Sequence, residues 1–197
     1  MKKVISTLIA ITVIALGSVN IAAAAGTETT TLANVGTFNK IEVHGNVEVI
    51  VSNGDKNKVQ VNNNYYAESA MLQGEDGVLR ISSYNTSKLV VWVTAADLRA
   101  ISAYDNSEVK SFGSLSKIDF DVELHNNASA KLTLDAFNAT VTVADHAKAD
   151  LAGSAEQFSL SHNVSSSVNK TGFTAATYTE QKTGAPADVK NSDLAVI

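Results

Sequence analysis

Residues 122–132 read VELHNNASAKL. Val122 and Leu124 alternate with polar neighbours, His125-Asn126-Asn127 breaks the alternation, and Ala128, Ala130 and Leu132 resume it. A period of two places alternate side chains on opposite faces of a strand. Asn accepts the backbone angles of a tight turn. The stretch therefore reads as strand, corner, strand. Residues 141–151, VTVADHAKADL, and 158–168, FSLSHNVSSSV, have the same form.

Four segments overlay on this pattern: ISAYDNSEVKSF from Ile101, VELHNNASAKLT from Val122, VTVADHAKADLA from Val141 and FSLSHNVSSSVN from Phe158. Their third residues, Ala103, Leu124, Val143 and Leu160, are 21, 19 and 17 residues apart. Val109, Leu132, Leu151 and Val168 close each segment. One such segment is too thin to bury its own apolar face, so copies must stack. The spacing predicts an all-β, parallel β-solenoid with rungs of about 17–21 residues, with Leu124, Val143 and Leu160 inward. A β-sandwich is the competing architecture. It uses the same short strands but does not require a polar pair to recur in register.

Upstream, Ile41, Val43, Val47, Val49 and Val51 keep the period of two, and Val59 and Val61 follow the turn at 52–57. Leu89–Val93, LVVWV, reads as a strand buried on both faces. Trp92 and the Tyr65-Tyr66 pair are candidates for stacking on sugars, with core or cap packing the simpler reading for Trp92. Residues 66–73, YAESAMLQ, could form one or two helical turns; no longer helical stripe occurs.

The first 25 residues have the form of a secretory leader. Lys2-Lys3 precede an apolar run from Val4, and Ala22–Ala25 offer small residues for cleavage after Ala24 or Ala25. The run is short for a membrane span, and nothing after it could span one. The expected organisation is a leader at 1–25, a flexible lead-in at 26–34, and a single domain at 35–197. The expected location is the periplasm, cell surface or extracellular space. With 15 basic and 20 acidic residues the net charge is −5, and cleavage would remove Lys2 and Lys3. That balance argues against nucleic acid and anionic lipid as partners. There is no cysteine, hence no disulfide framework and no lipid-modified N-terminal cysteine.

The stretch FNKIEVHGNVEVIVSNGDKNKVQV from Phe38, DGVLRI from Asp76 to Ile81, and the four segments together resemble the head GIN domain family of putative auto-transporter adhesins. The resemblance runs from Val35 to Pro186. It implies a right-handed parallel β-helix, an exported cell-envelope location and no assigned activity. One departure is visible. Corners associated with Gly-Ser-Gly-like turns in the family read YDNSE, HNNAS, DHAKA and HNVSS here.

The polar pairs at these corners are Asp105-Asn106, Asn126-Asn127, Asp145-His146 and His162-Asn163. Stacked, they would form a surface ladder. Three readings compete. They can be turn residues that satisfy local amides. They can form a linear strip for an envelope polysaccharide or another surface protein. Asp105, Asp145, His146 and His162 can bind a metal, although ligation needs three or four groups at one point. The first reading is the simplest, and no cofactor or metal is expected. Asp119, Asp121 and Glu123 share one outward face, read as a solvated surface. There is no cysteine nucleophile, G-x-S-x-G, H-E-x-x-H or P-loop. The expected function is a non-enzymatic structural, adhesive or glycan-binding envelope module. The alternative is a polysaccharide lyase or hydrolase on the same scaffold.

Overall fold

A computed structural model describes residues 29–32, 36–62 and 70–184. The leader at 1–25, the Tyr65-Tyr66 pair and Pro186 lie outside the described residues. Twelve strands follow in order: β1 (Thr29–Leu32), β2 (Lys40–Gly45), β3 (Val47–Asn53), β4 (Lys58–Asn62), β5 (Ala70–Glu75), β6 (Val78–Ser83), β7 (Leu89–Ala95), β8 (Ala100–Ala103), β9 (Glu108–Leu124), β10 (Ser129–Val143), β11 (Lys148–Asn163) and β12 (Ser167–Thr183). Among the described residues no helix is long and apolar enough to cross a membrane. β1 forms within the segment expected to be a flexible lead-in. β5 takes the place of helical turns at residues 70–73; its pairing with β6 supplies the backbone hydrogen bonds a short helix would have had to make alone.

All twelve strands belong to one sheet: nine follow the path β1-β4-β7-β3-β9-β8-β2-β6-β5, and β10, β11 and β12 continue in that order from β9. The expected right-handed parallel β-helix with rungs of 17–21 residues is thereby corrected. The sheet is curled, open and mixed: β4 lies antiparallel between β1 and β7, and β5 lies antiparallel on β6. The curl comes from β9. Its residues Glu108–Ser111 pair with β3, while Asp121–Leu124 pair with β8. The near-20-residue spacing described the parallel pairs of β8–β12 and was extended too far, because strands before Ile101 follow no such spacing. Even within that region the fourth segment is displaced. Val143 pairs with His162, and Leu160 pairs with Val141.

The core is aliphatic. Ile41, Val43, Leu79, Ile81, Leu124, Val143 and Leu160 are buried, each contributing roughly 1.5–3 kcal/mol by leaving water. Leu89–Val93 is not buried on both faces: Leu89, Val91 and Val93 point inward, while Trp92 is 37% exposed. An antiparallel neighbour on one side and a parallel one on the other leave this strand's outer face uncovered.

The last strand ends the core with charge. The inward row Val122, Val141, Leu160 continues into Glu180. Lys170 Nζ donates to Glu180 at 2.8 Å, His162 Nε2 lies 2.8 Å from its other oxygen, and the Tyr178 hydroxyl bonds to both Lys170 and Glu180. Among the described strands β12 pairs only with β11. Inward-pointing charge on such an edge discourages pairing with another chain.

Candidate functional site

Three corners connect the long strands: Tyr104–Ser107, His125–Ala128 and Ala144–Ala147. In each the fourth residue's N–H donates to the first residue's carbonyl, at 3.2, 3.0 and 3.1 Å. The second residue is left-handed: Asp105 at φ +62°, Asn126 at +59° and Asp145 at +56°. Asn and Asp tolerate that region better than most side chains, so the choice of residue follows from the turn. Gly45, at φ +81°, takes the corresponding place at the end of β2.

These residues cap one another. Asp105 Oδ2 accepts from the Gly45 N–H at 3.1 Å, Asn126 Oδ1 from the Asp105 N–H at 3.3 Å, and Asp145 Oδ2 from the Asn126 N–H at 2.8 Å. Asn127 Nδ2 donates to Asn106 Oδ1 at 3.3 Å. The Tyr84 hydroxyl donates to Asp105 Oδ2 at 3.0 Å, and that bond holds its pKa above the ordinary phenol range. Beside this column His44, Tyr104 and His125 stack nearly parallel, with ring centres 4.6 and 4.9 Å apart. The sequence reading missed this stack, although each ring is the residue just before a left-handed position.

The predicted ladder is thus only partly assembled. Asp105, Asn126 and Asp145 share one column, and Asn106 meets Asn127. His146 is exposed and contributes its backbone N–H, which donates to Asn126 O. His162 and Asn163 stand two residues out of register. His162 turns to Glu180, and Asn163 Oδ1 accepts from the Ser165 and Ser166 N–H groups of its own turn. Among the described residues no three His, Asp or Glu side chains converge so as to hold a metal.

Most outward charges are locally paired. Lys110 bridges Glu48 at 3.0 Å and Glu108 at 2.8 Å, and Lys88 reaches Glu108 at 3.0 Å. Asn138 donates to Asp119 at 2.7 Å, and Ser102 donates to Glu123 at 2.7 Å. Asp121 is different: desolvation, followed by the charge of Glu123, raises its carboxyl above the ordinary range.

A second feature is apolar. On the outer face Trp92 lies between Ile50 of β3 and Gln60 of β4. Phe112, 66% exposed, meets Trp92 edge-on with ring centres 5.7 Å apart and planes at 64°. An irregularity in β9 places it there. While β10 advances from Lys131 to Thr133, β9 advances from Lys110 to Ser114. Such bulges re-aim side chains. Gly113 supplies the φ of +79° that this one needs, Asn53 Nδ2 holds the Ser114 carbonyl at 3.0 Å, and Ser111 Oγ accepts from the Thr133 N–H at 2.8 Å.

A sheet of this form has known counterparts. Residues 37–190 match the family described as putative auto-transporter adhesin, head GIN domain, and the chain belongs to that family. A putative adhesin from Bacteroides fragilis is similar at a TM-score of 0.70 and 16% identity, covering 80% of this chain and 77% of that one. One from Parabacteroides merdae is similar at 0.63 and 13%, covering 79% and 77%. A putative lipid binding protein from Parabacteroides distasonis is similar at 0.54 and 12%, covering 79% and 78%. At these identities the likeness concerns the fold. No curated protein matches the chain.

Proposed function

We propose that this protein is an exported, non-catalytic adhesive module of the bacterial cell envelope, which holds an envelope polysaccharide or another surface protein on its outer sheet face. The leader-like residues 1–25 support export, and membership of an adhesin family supports the adhesive role. The observation that carries the reading is the distribution of polar groups. Most outward acids and bases are spent on neighbours along open sheet faces. Acid–base or nucleophilic catalysis needs such groups to converge on one reacting atom.

One observation favours the alternative, a lyase or hydrolase. Desolvation, and after it the charge of Glu123, raises the Asp121 carboxyl above its ordinary range, the direction a general acid needs. Asp119 and Glu123 flank it on the strand; Asp119 accepts from Asn138 at 2.7 Å and Glu123 from Ser102 at 2.7 Å.

The test is to purify the exported protein and determine its N-terminus by mass spectrometry. It is then applied to a panel of envelope polymers, glycans and phospholipid vesicles, with turnover assayed alongside. A start near Ala25 or Gly26, with saturable binding to a polymer and no product, is expected. Turnover lost in Asp121→Asn would replace this reading with the enzymatic one. A full-length cytoplasmic chain would contradict export.

A further inference from the structure

We propose that Trp92 and Phe112 form a saccharide-binding platform that takes the apolar face of a pyranose ring. The inference rests on the adhesive reading and gives it a site. Two large aromatic rings exposed side by side forgo burial worth several kcal/mol. The chain also spends a bulge, a left-handed glycine and the Asn53 side chain to hold one of them there.

The surroundings select the ligand. Ser52 and Thr94 hydroxyls lie 3.2 Å apart on the rows beside Trp92, and Gln60 donates to Thr31 at 3.2 Å. These groups can exchange hydrogen bonds with sugar hydroxyls, while the rings receive the C–H face. Lys58 of β4 stands opposite Thr94 on the same outer face, while Lys110 is bridged to Glu48 and Glu108, so the face admits neutral and acidic sugars alike. A protein partner would need roughly 800 Å² of matched surface. Two aromatic rings give far less, whereas one or two sugar rings fit their extent. The His44–Tyr104–His125 stack is engaged with itself, and the β12 edge is guarded by Lys170 and Glu180.

Trp92 is the only tryptophan of the chain, so its fluorescence reports the platform directly. The exported protein is titrated with neutral cello-, xylo- and manno-hexaoses and an acidic galacturono-hexaose, and separately with phosphatidylglycerol and phosphatidylcholine vesicles. A saturable emission change with at least one hexaose is expected. Phe112→Ser should weaken binding about tenfold or more, read by fluorescence, and Trp92→Ala should abolish it, read by calorimetry. Circular dichroism and melting temperature, both near the parent's for Phe112→Ser, separate lost binding from lost fold. Two results overturn the platform while leaving the adhesive reading intact: envelope-polymer binding with Trp92 emission unmoved by every hexaose, or equal binding by the Trp92→Ala, Phe112→Ser double variant. An emission change with vesicles alone replaces the saccharide with lipid. A protein that binds no polymer at all sinks the adhesive reading itself.

Discussion

The corner column and the aromatic patch invert what their composition suggests. The column, with its Asp, Asn, His and Tyr side chains, has the residues of a binding site. Its acceptors are nonetheless spent on the amides of Gly45, Asp105 and Asn126. Trp92 and Phe112 have the residues of a core, yet they stand in solvent. A polar side chain that completes a turn has little left to offer a ligand, because its hydrogen bonds are already made. An exposed aromatic held in place by a bulge has its whole face left. Function on this sheet is therefore sought among groups left unsatisfied.

The contrast can be broken in several places. The largest effect is expected in the shared core: Leu124→Asp puts an unpaired charge where nothing can pair it, and should cost more than about 4 kcal/mol, enough to abolish a cooperative melt. A parent-like melting temperature would show that this row does not face inward. Gly45→Ala comes next. The left-handed backbone alone costs about 1–3 kcal/mol, and the new Cβ would lie 2.1 Å from the Ser83 carbonyl oxygen. Chemical denaturation should show at least that loss. A neutral result would mean the column has room to relax.

Smaller effects discriminate more sharply. Asn126→Ala with Asn127→Ala should cost on the order of 1–2 kcal/mol for lost turn bonds and leave polymer binding unchanged. Intact stability with lost binding would make the column the site after all. At the β12 end, Glu180 is held down to about 2, first by Lys170, then by Tyr178 and His162. Its folded value lies below its unfolded one, so the stability it contributes is present above about pH 4.5 and is lost as pH falls towards 2. Glu180→Gln should flatten melting temperature against pH in that window. An unchanged slope would remove Glu180 from the cap. Phe112→Ser should shift stability by no more than about 0.5 kcal/mol, the smallest effect and the sharpest evidence that the ring is there for something other than folding.

The sequence by itself determined which residues could alternate and which could turn. Val122, Leu124, Val141 and Val143 are buried because a period of two leaves a strand no other way to shelter them. Asp105, Asn126 and Asp145 are left-handed because few other side chains accept that backbone. Both are properties of a residue and its near neighbours. Membership of the family was legible for the same reason, since it rested on spacing and apolar pattern. Strand direction was not: the pattern of β4 or β5 is the same whether it runs parallel or antiparallel to its partner, and that choice turned an expected parallel β-helix into a mixed, curled sheet. A two-residue error in aligning Leu160 with Val143 was equally invisible, because a shift of two keeps every side chain on its face. Nor could sequence say which side of Leu89–Val93 is covered. That depends on what packs against the sheet, and only the tertiary structure decided that Trp92 faces outward, with Phe112 at its edge.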